Sequence, residues 1–290
     1  MPTVLLASGG GRERSMKKKH IIKLIVIFVI IVDLFVLSYP SVSNYLNSLS
    51  HSRIVSNYYD NLLSTPKDSL QKFIGEAQTY NKTLQNNSAR FQPTVKETDE
   101  YNQMLGCSGI VMGVLSIEKL DVNLPIYHGT NAGVLQIGLG HLQGSSLPVG
   151  GLGSHSIITG HSGLPSSSLL TDLNKMAQGD TFILNVMGQT LIYQVDQIKT
   201  VEPSEIELLS IDENSDFCTL VTCTPYGINT HRLLVRGKRI ITDAAAKSHD
   251  IQNDERGLDK IYIIIIILIF PLIVLITLII KKLYKGGITK

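Results

Sequence analysis

Cys223 closes the β-type run TLVTC (219–223), and Arg232 opens the next such run nine positions later. A hairpin-like loop across Thr224 to His231 would bring thiol and guanidinium to the same end of one sheet. Free cysteine ionises near pH 8.5, so only about 3% is thiolate at neutral pH. A neighbouring imidazole and a fixed cation raise that reactive population, and the guanidinium can also hydrogen-bond the oxyanion formed when a carbonyl is attacked. The imidazole must come from elsewhere in the chain. Of the eight histidines, His161 is best placed, in IITGHSG (157–163), where a β run ends in a glycine-flanked turn that would present the ring at a rim. A single cysteine, histidine or arginine is more often structural; the three together point to cysteine acyl transfer.

The other histidines read differently. His20 adjoins an apolar run, His51 sits in a helical region and His249 in a polar stretch. His128, His141 and His231 read as hydrogen-bonded structural residues, with His231, beside Arg232, the first to test as a substrate contact. Thr222, next to the thiol, either lines a substrate groove or packs. No cofactor or metal is expected: there is no His-Glu-x-x-His or paired-cysteine motif, and His155 and His161 lie on a strand and a turn. A serine hydrolase would need a Gly-x-Ser-x-Gly elbow, which is missing. The three cysteines make no disulfide framework. On one strand, Cys218 and Cys223 would face opposite sides roughly 17 Å apart. Pairing of Cys107 with Cys218 is conceivable but has no support in the spacing, and the two read rather as small buried hydrophobes.

The elements that must position these groups are mostly strands. Leu120, Val122, Leu124 and Ile126 alternate with polar or turn residues, as in a half-buried strand. Phe182, Leu184 and Val186, then Met187-Gly188-Gln189, then Leu191, Tyr193 and Val195 describe a hairpin. Phe217 to Cys223 and Leu233 to Ile241 are two further runs, and Ser167 to Met176 is the one convincing helical stretch in this part of the chain. Short strands with Gly/Pro turns predict a mainly β barrel or sandwich over residues 106–242. Ahead of it, residues 39–105 read as a helical segment interrupted at Pro66, followed by a polar, Pro-containing loop from Asn86 to Thr98.

Two apolar runs flank this region. Residues 21–38 follow Lys17, Lys18 and Lys19 and read as an N-terminal transmembrane signal-anchor; a cleaved signal peptide is the alternative, though no clean small-x-small site follows. Residues 261–280 carry no charge, read as a second transmembrane helix, and are joined to the barrel by a polar linker, 243–260. The basic segment 1–20 and the basic tail 281–290 place both termini in the cytoplasm and the catalytic part outside. Residues 1–15 read as a start-site extension ahead of Met16. The glycine run Gly9 to Gly11 lacks the Lys-Ser/Thr of a phosphate loop. Residues 39–260 hold 16 Lys and Arg against 22 Asp and Glu, a net charge of −6, so nothing indicates a nucleic-acid partner.

The wording around the candidate site resembles a known family. LPIYHGT (124–130), GHLQGSSLPVGG (140–151), TGHSGLP (159–165), YQVDQIKTVEP (193–203) and TLVTCTPYGINTHRLLVRGKR (219–239) are similar to the sortases, cysteine transpeptidases of Gram-positive cell surfaces, and within them to the pilin-polymerising class C. The resemblance is strong over residues 106–241 and weak before them; a second, C-terminal span also suits class C. It implies a closed eight-stranded β-barrel with N-terminal helices, flanked by two transmembrane helices. It implies that Cys223 attacks the Thr-Gly bond of an LPXTG-like sorting signal to form a thioester, that His161 passes the proton, and that Arg232 positions the signal and stabilises the oxyanion. The acceptor would be a lysine of another pilin, so the partners are surface proteins with such signals and the membrane. A wall-anchoring enzyme using a peptidoglycan-precursor amine is the nearer alternative, and a catalytically silent scaffold the remote one. One departure stands out. Class C members commonly cover the site with an Asp-Pro-aromatic lid, and this chain contains no Asp-Pro; SARFQP (88–93) stands in that region, where either Phe91 is a substitute plug or the loop is simply a linker.

Overall fold

A computed structural model describes residues 10–105, 111–164 and 167–241. The expected second span (261–280), the linker and tail around it, residues 1–9 and Cys107 lie outside the described residues. The chain divides at residue 40, and the unit from Pro40 onward contains the barrel. Helix α1 is Gly10–Ser64. From Ile25 it is the one helix among the described residues long and apolar enough to cross a membrane, with a mean hydropathy of 2.5 and none of that stretch buried. Length and composition alone suit an anchor and a signal sequence equally.

As expected, Pro66 separates α1 from α2 (Lys67–Gln85). A proline is tolerated at a helix start, where its missing N–H costs nothing. Helix α2 buries Ile74, Ala77, Asn81 and Leu84, one stripe at helical spacing. Asn81 exchanges two hydrogen bonds with Leu147: Nδ2 donates to its carbonyl at 3.0 Å and Oδ1 accepts from its N–H at 2.7 Å. This pins α2 to the connection that leads into the site. The Asn86–Thr98 stretch differs from the loop expected of it, because α3 (Val95–Gln103) begins within it. Thr94 accepts from the Glu97 N–H while the Glu97 carboxylate accepts from the Thr94 N–H, a reciprocal cap that starts the helix.

Eight strands follow: β1 (Val111–Ile117), β2 (Val122–His128), β3 (Leu139–His141), β4 (Ser154–Thr159), β5 (Thr181–Val186), β6 (Gln189–Val201), β7 (Asp216–Thr224) and β8 (His231–Ile240). A short helix, α4 (Ala132–Ile137), lies between β2 and β3. The strands close a barrel in the order β1-β2-β3-β4-β7-β8-β6-β5. Closure leaves no free sheet edge. The β5–β6 hairpin turns at Met187 and Gly188, where both residues have positive φ.

Two expectations need correction. Strand β2 begins at Val122, since Glu118–Leu120 form a 3-10 turn ended by Asp121 in the left-handed region. Its Leu124 to Tyr127 are buried continuously rather than alternately, because the helical segment covers the outer face: Tyr101 accepts from the Gly129 N–H and His128 Nε2 donates to Met104 O. Ser167–Met176 is not a helix. Only Leu173–Lys175 forms a 3-10 turn, Leu169 has φ +34°, and the Leu170 N–H goes to His161 O instead of to a helical partner.

Candidate active site

The site is built on three neighbouring strands. Strand β7 pairs antiparallel with β8, and in that register Cys223 stands directly opposite Arg232 and Thr224 opposite His231. Directly opposed residues project to the same side of a sheet, with Cβ atoms about 5 Å apart. Strand β4 runs parallel to β7 on its other edge, with Thr159 opposite Val221. The alignment persists past the end of β4: the Gly160 N–H donates to Val221 O at 3.1 Å, and Thr222 Oγ1 donates to Gly160 O at 2.8 Å. Two residues on from the Thr159–Val221 pair, His161 therefore comes level with Cys223. Cys223 and Arg232 belong to one face of the sheet, and His161 stands on the turn that leaves the adjoining strand beside them.

That face is the outside of the barrel. Along β7, Cys218, Leu220 and Thr222 point inward and are buried, as are Ile158 of β4 and Leu233 and Val235 of β8. Thr219, Val221 and Cys223 alternate with them. Cys223, His161 and Arg232 are each half-buried, open enough to meet a macromolecular substrate. Cys218 is the opposite case: it is wholly buried and its thiol is pushed well above its ordinary range by burial and then by Asp216. The sequence-based placement of these two cysteines on opposite faces thus matches the strand.

Thr222 and His231, the two further substrate-contact candidates, have different surroundings. Thr222 is buried and spends its hydroxyl on Gly160 O, so it joins the strand carrying Cys223 to the turn carrying His161 rather than lining a groove. His231 is exposed, with Nδ1 2.9 Å from Thr230 Oγ1, while its carbonyl accepts from Arg232 Nη1 at 3.1 Å. Arg232 Nη1 also donates to Asn229 O at 3.2 Å, so the loop between β7 and β8 orients the guanidinium.

A feature that composition did not reveal lies beside the site. Ile157, Val201, Leu209 and Leu234 form a second apolar cluster on the outer face, with Leu142, Leu208 and Val221 packed against it. Phe91, from the 86–94 loop, packs on this cluster. Arg90 holds it there: Nη1 donates to Gly144 O at 2.9 Å, Nη2 to Leu209 O at 2.7 Å, and the guanidinium lies 4.2 Å from the Phe91 ring centre. The loop passes so close to Gly144 (φ +89°) that an added Cβ would collide with Arg90 O. Val221 is two residues from Cys223 on the same face, so the Phe91 strip runs toward the thiol.

Two buried histidines support this architecture. His155 Nδ1 donates to Ser210 O at 2.8 Å and Nε2 accepts from Thr219 Oγ1 at 2.7 Å, tying β4 to β7 and to the connection before it. His141 Nε2 donates to Ser146 O at 2.8 Å and Nδ1 accepts from Tyr101 Oη at 2.9 Å. Burial above all holds both rings neutral, each down to about 4. Among the described residues no group of three His, Cys, Asp or Glu side chains is placed to hold a metal ion.

A family model for the sortase domain matches residues 115–240. Sortase C1 from Streptococcus agalactiae is 45% identical, with a TM-score of 0.64 over 66% of this chain and 100% of that one. A Streptococcus pneumoniae sortase C, whose structure is described as informative on catalysis and pilin substrate specificity, is 42% identical, with a TM-score of 0.60 over 66% of this chain and 97% of that one. Among curated proteins, sortase D of Bacillus subtilis is 25% identical over 136 residues, 46% of this chain; the chain spans 66% of that relative's length. With identities above 40% to solved sortases that it covers almost completely, the chain belongs to the sortase family of cysteine transpeptidases, with class C sortases as its structural neighbours.

Proposed function

We propose that the protein cleaves an LPXTG-like sorting signal through a thioester on Cys223 and transfers the acyl group to a lysine amine of a pilin, so that repeated cycles polymerise pili. The observation that carries this reading is the cross-strand pair Cys223–Arg232, with His161 on the turn that leaves the neighbouring strand two residues past the Thr159–Val221 pair. The Cys223 thiolate attacks the Thr carbonyl carbon, and Arg232 hydrogen-bonds the oxyanion of the tetrahedral intermediate. Collapse breaks the Thr-Gly bond, His161 protonates the departing amine, and the thioester remains. A lysine amine then attacks the thioester, His161 takes its proton, and the thiolate leaves as the isopeptide forms. The class C neighbours favour a pilin acceptor over a wall-precursor amine.

On the same reading Phe91 is the plug of a lid latched by Arg90, doing without an Asp-Pro motif what packing on the apolar strip near Cys223 permits. Residues 21–38 anchor the chain and residues 261–280 form a second span, with the barrel outside and both termini in the cytoplasm; the charge flanks support this orientation. The test is expression of wild type and Cys223→Ala with candidate pilins. Wild type yields ladders on denaturing gels and a Lys isopeptide by mass spectrometry, and the variant yields neither. Transfer only to a wall-precursor amine, or ladders that persist in the variant, contradicts the reading.

A further inference from the structure

The turn carrying His161 is held by hydrogen bonds on two sides. Toward β7, Gly160 bonds Val221 and Thr222. Toward the segment that follows, His161 O accepts from the Leu170 N–H at 3.2 Å, and the Gly163 N–H donates to Thr171 Oγ1 at 3.1 Å. The side facing the β7–β8 loop is held differently. Gly163 has φ +83°, and a Cβ built on it would lie 2.9, 3.2 and 3.3 Å from Cε2, Cδ2 and Cζ of Tyr226. One ring face of Tyr226 thus lies against the backbone two residues beyond His161. The rest of that side chain faces solvent, the residue being 67% exposed. A large aromatic left this open on a loop gains little from burial, which makes its contact with the histidine turn the informative one.

The same loop also orients the arginine. It is folded on itself by the Ile228 and Asn229 N–H groups, both donating to Pro225 O, and its Asn229 O accepts from Arg232. A single compact loop therefore hydrogen-bonds one of the three reactive groups, Arg232, and packs a ring against the turn that carries another, His161.

We propose that Tyr226 is a positioning residue for His161, acting as a clamp that sets the imidazole relative to Cys223 and Arg232. Its ring does this by shape, so the hydroxyl is dispensable. This rests on the cysteine transfer reading above. A misplaced proton-transfer group slows the chemical step without weakening signal binding, and small displacements of catalytic groups are costly.

The experiment compares wild type, Tyr226→Ala and Tyr226→Phe of the full chain in detergent, using an LPXTG peptide and an amine acceptor. For Tyr226→Ala we expect kcat lowered about tenfold, KM for the peptide unchanged within about twofold, and the pH–rate profile displaced by roughly half a unit or more. Tyr226→Phe restores all three. The unfolding midpoint should match wild type; should the Ala variant unfold, Tyr226→Leu replaces it with the same expectations. Wild-type kcat and pH profile in the Ala variant, a rise in KM alone, or an equal loss in the Phe variant overturns the clamp. Absence of acylation in wild type instead contradicts the transfer reading itself, so the two failures are distinguishable.

Discussion

Thr222 donates its hydroxyl proton to the carbonyl of Gly160 at 2.8 Å, and this bond joins the strand that carries Cys223 to the turn that carries His161. Thr222 is buried, so the bond is shielded from competing water. Thr222→Val keeps the shape and deletes the donor, leaving a buried carbonyl short of its partner. We expect a loss of about 1–2 kcal/mol in stability by denaturant unfolding, together with a fall in kcat larger than any change in KM. Unchanged kcat would mean that this bond does not set the spacing of the two reactive groups.

Phe91 and Arg90 make a second testable pair. Phe91→Ala removes the ring from the outer apolar strip, and Arg90→Ala removes the bonds to Gly144 O and Leu209 O. Either change should raise the rate of Cys223 alkylation severalfold while the barrel's unfolding midpoint moves little. A rate equal to wild type in both variants would mean that the 86–94 loop leaves the thiol uncovered.

Gly144→Ala reaches the same loop from the other side. An added methyl meets the Arg90 backbone at a distance no real Cβ adopts, and the positive φ adds strain. The loop must therefore shift, and the variant should resemble Arg90→Ala in alkylation rate. Slower alkylation would contradict the arrangement.

Acid should destabilise the fold through His141 and His155. Both are held to about 4 by burial, against an ordinary value of 6.5. Between those values the unfolded chain binds protons that the folded chain does not. Their contribution is therefore complete above about pH 6.5 and is lost as pH falls toward 4, by up to about 3 kcal/mol for each ring. Unfolding midpoints measured from pH 7 to pH 4.5 should fall, and His155→Gln should flatten the slope. A pH-independent midpoint would contradict the neutral buried rings.

Legibility in the sequence followed the range of the interactions. Cys223 and Arg232 meet across one local hairpin, and their spacing exposes it. His161 joins them through a parallel pairing of β4 with β7, strands separated by more than fifty residues, and spacing alone does not encode that; family wording supplied the link. Helix α3 was readable from Thr94 and Glu97, a Thr-x-x-Glu start, but the polar, proline-bearing stretch around it reads as loop. Ser167–Met176 shows the reverse error. Its apolar spacing suits a helix, yet Leu169, Leu170, Leu173 and Met176 all bury into the core without one, because the backbone forms separate three-residue turns and the Leu170 N–H goes to His161 O. The apolar strip under Phe91 was hidden for a related reason, since both faces of β4 are buried and alternation is lost.

The central claim is a covalent bond to one sulfur. Incubation of the full chain with an LPXTG peptide, rapid acid quench and mass spectrometry of the proteolysed protein tests it directly. The account predicts that the peptide carrying Cys223 gains the mass of the signal truncated after Thr, that the adduct is discharged by hydroxylamine, and that it is absent from Cys223→Ala. Peptide cleavage with no adduct on Cys223, or an adduct on another residue, would contradict it.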